Sequence, residues 1–157
     1  VAHATVAVLT VSDSRTEETD RSGSLIRGRL TESGHSILDY RIVPDEPARV
    51  RETLAGWLAD DRCDAVIVNG GTGVSSRDRT YEAVAGMLQQ RLDGFGELFR
   101  ALSYEEIGSA AMLSRAVAGV VGRKVVFSLP GSSAAVTLAL EKLILPEIGH
   151  VLAELRR

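Results

Sequence analysis

Apolar and polar positions along this chain fall into blocks whose period changes from strand-like to helical. "ATVAVLTV" (Ala4 to Val11) is apolar and β-branched and predicts a buried strand. The polar run "SDSRTEETDRSG" then predicts a loop, with Ser22 and Gly23 opening a helix. Leu25, Ile26 and Leu30 fall near helical spacing, and Gly34 supplies the stop. "SILDYRIV" (Ser36 to Val43) predicts a second strand ending at Pro44-Asp45. Pro47 suits an early helical position, ahead of an apolar face of Val50, Leu54, Trp57 and Leu58. "AVIV" (Ala65 to Val68) predicts the third strand, which feeds a glycine-rich loop and a helix from about Thr80 to Leu88.

The next stretch is less regular. "GFGELFRALSYEEIGSAAMLSRAVAG" predicts broken helices separated by Gly94, Gly96 and Gly108. Two short strands follow around the Gly122-Arg123 turn, the second being Lys124 to Leu129, which ends in Pro130-Gly131-Ser132. An amphipathic helix from Ala134 to Leu143 and a shorter one after Pro146 complete the pattern. The expected fold is a three-layer α/β/α sandwich around a mostly parallel sheet with a short antiparallel edge hairpin. All of residues 1–157 fit one domain, with no internal repeat, low-complexity segment or linker.

Composition narrows the function. Of 157 residues, 45% are hydrophobic and 25% charged, the profile of an ordinary globular domain. A net charge of −3 argues against nucleic acid as the main partner. The single cysteine, Cys63, cannot form an internal disulfide and is expected to be a buried, inert thiol. That suits a reducing cytosol, so the expected location is cytoplasmic. No apolar run approaches membrane-spanning length, and no charged-then-apolar leader precedes the first strand. The chain begins at Val1, so a few N-terminal residues are expected to be missing.

Candidate chemistry gathers at the strand ends. "NGGTGVSSRDRT" (Asn69 to Thr80) is neither of two familiar phosphate loops: no lysine follows its last glycine, and Ser76 stands where G-x-G-x-x-G needs a third glycine. In an open parallel sheet ligands bind beyond the carboxyl ends of the strands. Those ends carry "SDSR" (Ser12, Asp13, Ser14), "PDE" at Pro44, "GGTG" (Gly70, Gly71, Thr72, Gly73) and "PGSS" (Pro130, Gly131, Ser132). Glycine permits positive φ, so successive N–H groups can turn toward one anion, and the following helix adds its positive end. Arg77 lies inside the loop, and Arg15, Arg79 and Arg115 are further candidates for neutralising a phosphate. Asp13, Asp45 and Asp78 would repel that anion unless a divalent cation sits between them. Phosphate, Mg²⁺ and one or two aspartates are the parts of phosphoryl or nucleotidyl transfer.

Taken singly, each feature also has a structural explanation. "GGTG" serves as a tight strand-to-helix connection, Asp78 as an N-cap, Asp45 as a turn former and "PGSS" as a loop with a helix cap. Their shared edge of the sheet is what favours a ligand site. His3, His35 and His150 are far apart and read as unrelated, and the G-x-S-x-G elbow of a serine hydrolase is absent.

"TVSDSR", "DRSG", "VPDE", "GGTGVSSRDRTYEAV", "GFGELFRALSYEEIG", "LSRAVAG" and "LPGS", in this order from Val6 to about His150, resemble the molybdenum cofactor biosynthesis family. Its members include bacterial MoaB and MogA, the G domain of gephyrin and its plant counterpart; the segment at Gly94 is most similar to the MoaB branch. The resemblance implies a molybdopterin-binding domain that adenylylates molybdopterin with Mg-ATP, releasing pyrophosphate. It implies Asp45 and Asp78 as the catalytic and Mg²⁺-binding pair. Ser12, Asp13, Ser14, Gly70, Gly71, Thr72, Gly73, Ser76, Arg77, Pro130, Gly131 and Ser132 would hold the nucleotide side, and Glu97, Ser103 and Ser114 the pterin. A non-catalytic pterin-binding or assembly protein, and a generic nucleotide-binding domain, are the alternatives. The resemblance also implies a homotrimer or hexamer and contact with other proteins of the cofactor pathway. Phe95, Leu98, Phe99, Leu102 and Tyr104 are the candidate apolar patch, with Phe95 and Phe99 expected in the core.

Overall fold

Alternation within the first strand decides the layering. In the computed structural model, which describes residues 3–157, β1 (Thr5–Val11) sends Val6 and Val8 to one face and Ala7, Leu9 and Val11 to the other. Both faces are covered, so the strand is apolar apart from Thr5 and Thr10. On the first face lie α1 (Arg21–Glu32), α4 (Asp93–Ile107), α5 (Ser133–Ala139) and α6 (Leu145–Leu155), which bring Ile26, Leu30, Phe95, Phe99, Val136, Ile148 and Leu152 to the core. On the second lie α2 (Pro47–Leu58) and the short α3 (Thr80–Ala85), through Val50, Leu54, Trp57, Ala83 and Val84. Pro47 occupies the first turn of α2, where its missing N–H costs no hydrogen bond.

Six strands form one sheet in the order β2-β1-β3-β6-β5-β4, with β2 (Ser36–Val43), β3 (Ala65–Asn69), β4 (Gln90–Arg91), β5 (Val117–Val121) and β6 (Lys124–Leu129) completing it. β2, β1, β3 and β6 are parallel, whereas β5 runs antiparallel to both β6 and β4. This is the expected mostly parallel sheet with an antiparallel edge, extended by the two-residue β4, which the sequence pattern did not reveal. The chain passes from β1 outward to β2 on one side and returns to β3 on the other, so strand order reverses between β1 and β3. A crevice opens at such a reversal.

Two expectations change. Gly94 and Gly96 do not break a helix: α4 runs unbroken from Asp93 to Ile107 and stops at Gly108, whose φ is +71°. Gly96 is instead a packing position, since a Cβ there would lie 2.9 Å from Ala116 O and 2.6 Å from Arg100 Nη2. Nor does Pro146 separate two helices. A π-helical turn, Leu140–Ile144, joins α5 directly to α6, and Pro146 falls in the first turn of α6. Cys63 is buried as expected, and its burial pushes the thiol pKa up.

Candidate functional site

The carboxyl ends of β1, β2, β3 and β6 bring all four candidate loops together. Gly70 and Gly71 have φ of +107° and +68°. A Cβ at Gly70 would lie 2.2 Å from Val11 O, and one at Gly71 only 2.0 Å from Thr80 Oγ1, so both positions require glycine. The Pro130–Ser132 loop abuts the same turn, because a Cβ at Gly131 would sit 3.4 Å from Gly70 Cα.

Beneath these loops lies a buried polar network. Asp20 accepts from Thr10 Oγ1 at 2.6 Å, Tyr40 OH at 2.6 Å and Gly23 N at 3.0 Å. Asn69 Nδ2 donates to Thr10 Oγ1 at 2.9 Å. Arg15 lies 3.4 Å from both Asp20 Oδ1 and Asn69 Oδ1, and donates to Gly131 O at 2.8 Å, where Ser22 Oγ also donates at 2.6 Å. Arg15 therefore works as a strap between loops. Ser132 caps α5 by accepting from Ala135 N, the structural role that "PGSS" allowed. Ser12 Oγ accepts the N–H groups of Ser14 and Arg15.

The three aspartates differ. Asp45 is 6% exposed, and its carboxylate accepts the Arg79 N–H at 3.2 Å and Thr80 Oγ1 at 3.4 Å. Asp45 thus occupies the head of α3, the end expected to face a ligand. Burial chiefly raises its pKa; the Arg79 N–H opposes the rise, while the charges of Asp78 and Asp13 add to it. Asp13 is exposed and held below the usual carboxylate range, first by Arg77, then by the Asp45 N–H. Arg77 binds it bidentately, with Nη2 at 2.8 Å and Nε at 3.0 Å, across the crevice. Asp78 is not an N-cap: Arg79 holds that position, and Asp78 Oδ2 accepts from Ser75 N at 3.0 Å within its own loop. Asp45 and Asp78 nonetheless converge on the glycines, since Cβ atoms at Gly71 and Gly73 would each lie 2.8 Å from one of their Oδ2 atoms. Among the described residues no group of three or more His, Cys, Asp and Glu side chains forms a metal cluster. Two converging carboxylates still suit Mg²⁺, which keeps several of its waters. Ser14, Ser76 and Ser132 are exposed beside the crevice, and Thr72 is buried.

A second concavity adjoins the glycine loop. It is a cavity of about 260 Å³ lined by Tyr81, Arg91, Gly96, Arg100, Ser114 and Arg115 among others. Arg100 donates to Ser114 O and Ala116 O, and Arg91 to Tyr81 OH at 2.6 Å. Among the described residues neither arginine has a carboxylate partner, whereas Arg115 pairs with Glu82. Asp93 also lines the cavity, so with Arg115 paired to Glu82 the two unpaired arginines leave it a net positive charge suited to an anion. Ser114 lies in it; Glu97, exposed, and Ser103, buried, lie on α4 outside its lining. Sequence reasoning missed Arg91, Arg100 and Asp20. The signal for Arg100 was Gly96 one helical turn earlier, and for Asp20 the "DRSG" start of α1.

Fold and site together define a three-layer α/β domain with an anion-receptive crevice at a strand-order reversal. Residues 7–150 match the family model described as "Probable molybdopterin binding domain". The chain is 55% identical to Molybdenum cofactor biosynthesis protein B of Bacillus anthracis over 96% of its own length and 89% of that protein. Its fold matches a crystal structure of Molybdenum cofactor biosynthesis protein B at 50% identity and TM-score 0.96, covering 100% of this chain and 99% of that one. The tungsten cofactor synthesizing protein MoaB from Pyrococcus furiosus matches at 41% identity and TM-score 0.88, covering 98% of both chains. The chain belongs to the molybdenum cofactor biosynthesis family, and its likeness is to the MoaB branch.

Proposed function

We propose that the protein adenylylates molybdopterin with Mg-ATP, releasing pyrophosphate. One observation carries the reading: the loop bearing Gly70–Gly73, with Asp45 and Asp78 beside it, adjoins an arginine-lined cavity containing Ser114. A nucleotide phosphate chain suits the first half, and a phosphorylated pterin the second. The terminal phosphate oxygen of the pterin attacks the α-phosphorus of ATP; a new P–O bond forms, the bond to the bridging oxygen breaks, and pyrophosphate leaves. Asp45 and Asp78 would hold Mg²⁺, which when bound neutralises charge on the triphosphate. The loop N–H groups, Arg77 and the cavity arginines orient the two anions, so positioning and charge neutralisation supply the catalysis. Ser12, Ser14, Ser76 and the Pro130–Ser132 loop border the nucleotide. In this reading Asp13 releases Arg77 to the phosphates.

A second reading has its own observation. Asp45 already serves as the acceptor for the head of α3, so the pocket would bind the pterin without transferring a nucleotide. Mass spectrometry of the pterin after incubation with Mg-ATP separates the two: a gain of one adenylyl group supports transfer, and unchanged bound pterin supports binding alone.

Self-association belongs to the same proposal. Phe95 and Phe99 are core, but Leu98, Tyr104, Ile107, Met112 and Leu113 are more than half exposed on α4 and the 3₁₀ turn Gly108–Leu113. Such an apolar surface suits a trimer or hexamer, or a further protein of the pathway. Among the described residues no helix is long and apolar enough to cross a membrane.

A further inference from the structure

The glycine loop and the arginine-lined cavity share one side chain. Arg115 donates its backbone N–H to Thr72 O at 3.0 Å, its Nε to Gly73 O at 2.9 Å and its Nη2 to Asp78 O at 2.8 Å. Nη1 pairs with Glu82, and the guanidinium carbon stands 4.8 Å from the Tyr81 ring centroid. One residue outside the loop thus holds three of its carbonyls while also lining the cavity with Arg91 and Arg100. The planar fork of arginine lets one side chain hold the Gly73 and Asp78 carbonyls and Glu82 at once while stacked on Tyr81, an arrangement lysine's ammonium does not reproduce.

We propose that Arg115 is a positioning residue that couples the two halves of the site. An anion in the cavity fixes the guanidinium, and the guanidinium, through the Gly73 and Asp78 carbonyls, fixes the loop in the form that receives the nucleotide phosphates. Asp45 ties the far end of the loop through Arg79 and Thr80, but the middle of the loop reaches across the crevice only through the exposed Arg77 pair with Asp13, which contributes little order. Ordering Arg115 first therefore lowers the entropy cost of ordering the loop on nucleotide binding. By linkage, each ligand raises the affinity for the other. The inference rests on the functional reading above, which takes molybdopterin as the cavity's ligand.

The test is a calorimetric titration of the full chain with the α,β-methylene analogue of ATP, which cannot be cleaved at the α-phosphorus. It is run with and without saturating molybdopterin. Wild-type affinity is expected to rise about tenfold with the pterin present. Arg115→Lys is expected to need more pterin for saturation and, once saturated, to lose that enhancement. Amide exchange in the wild-type chain supplies a readout independent of any variant: Thr72–Asp78 amides should slow on adding pterin alone. Equal nucleotide affinity with and without bound pterin, full enhancement in Arg115→Lys, or unchanged exchange in the loop would overturn the coupling. Failure of the pterin to bind at all would overturn the functional reading, and the coupling with it.

Discussion

Asn in place of Asp20 should loosen the floor of the crevice. Asp20 is 1% exposed and receives the Thr10 and Tyr40 hydroxyls on Oδ2, and Gly23 N and Arg15 on Oδ1. Whichever way the amide is turned, an NH₂ replaces an oxygen that accepts two donors. The hydroxyls can rotate to accept, although Thr10 Oγ1 already accepts from Asn69. The bonds that remain become neutral, and a hydrogen bond to a charged group contributes about 1.5–3 kcal/mol against about 1 for a neutral one. A destabilisation of about 2–3 kcal/mol follows. For a chain of this length that corresponds to a fall in Tm of roughly 4–12 °C, read by circular dichroism at pH 7. Tyr40→Phe keeps the ring under Arg27 and removes one donor to the charged carboxylate, so about 1.5–3 kcal/mol is expected, and the double variant should be less than additive. Burial pushes the Asp20 pKa up, but Thr10, Tyr40, Gly23 and Arg15 outweigh it and leave the group below its ordinary value. Its stabilisation is therefore present above about pH 3.9 and lost as pH falls through the folded pKa, a slope that Asp20→Asn should lack. A Tm within about 2 °C of wild type would refute the reasoning.

Three other perturbations test separate parts of the structure. Gly71→Ala places a methyl against Thr80 and Asp45 at positive φ; a loss of roughly 1–3 kcal/mol in stability and weaker calorimetric binding of ATP are expected. His35 Nδ1 accepts the Ala4 N–H at 3.0 Å, and burial, then His3, lower its pKa. Its stabilisation is present above the unfolded value of about 6.5 and lost as pH falls below it, so His35→Asn should flatten the Tm profile between about pH 6.5 and 5; an unchanged slope would dismiss this role. Leu98→Asp with Met112→Asp should lower the oligomer mass measured by light scattering, while a wild-type mass for that variant would remove this face from the interface.

Strands were the most legible part of the fold, because β1, β3 and β6 are mostly apolar runs buried on both faces, while the edge strand β2 keeps Ile, Leu and Val among polar positions. The four candidate loops were legible too, since a parallel sheet places its strand ends together. Positions whose meaning comes from tertiary contact were not. Gly96 looked like a helix breaker because its neighbours Ala116 and Arg100 are not adjacent in sequence. Pro146 looked like a break, but it falls in the first turn of α6, which a π turn joins directly to α5. Asp45 was legible as a polar loop residue, but its grip on the head of α3 spans 34 positions. Arg91 and Arg100 resembled solvated surface until β4 and α4 brought them to one cavity.

The central claim is nucleotide transfer at the glycine loop, and pyrophosphate release from Mg-ATP in the presence of molybdopterin tests it most directly. The account predicts pterin-dependent release by the wild-type protein and loss of most turnover in both Asp45→Asn and Asp78→Asn, with pterin still bound. Near wild-type release by either variant, or no release by a wild-type protein that binds the pterin, would contradict it.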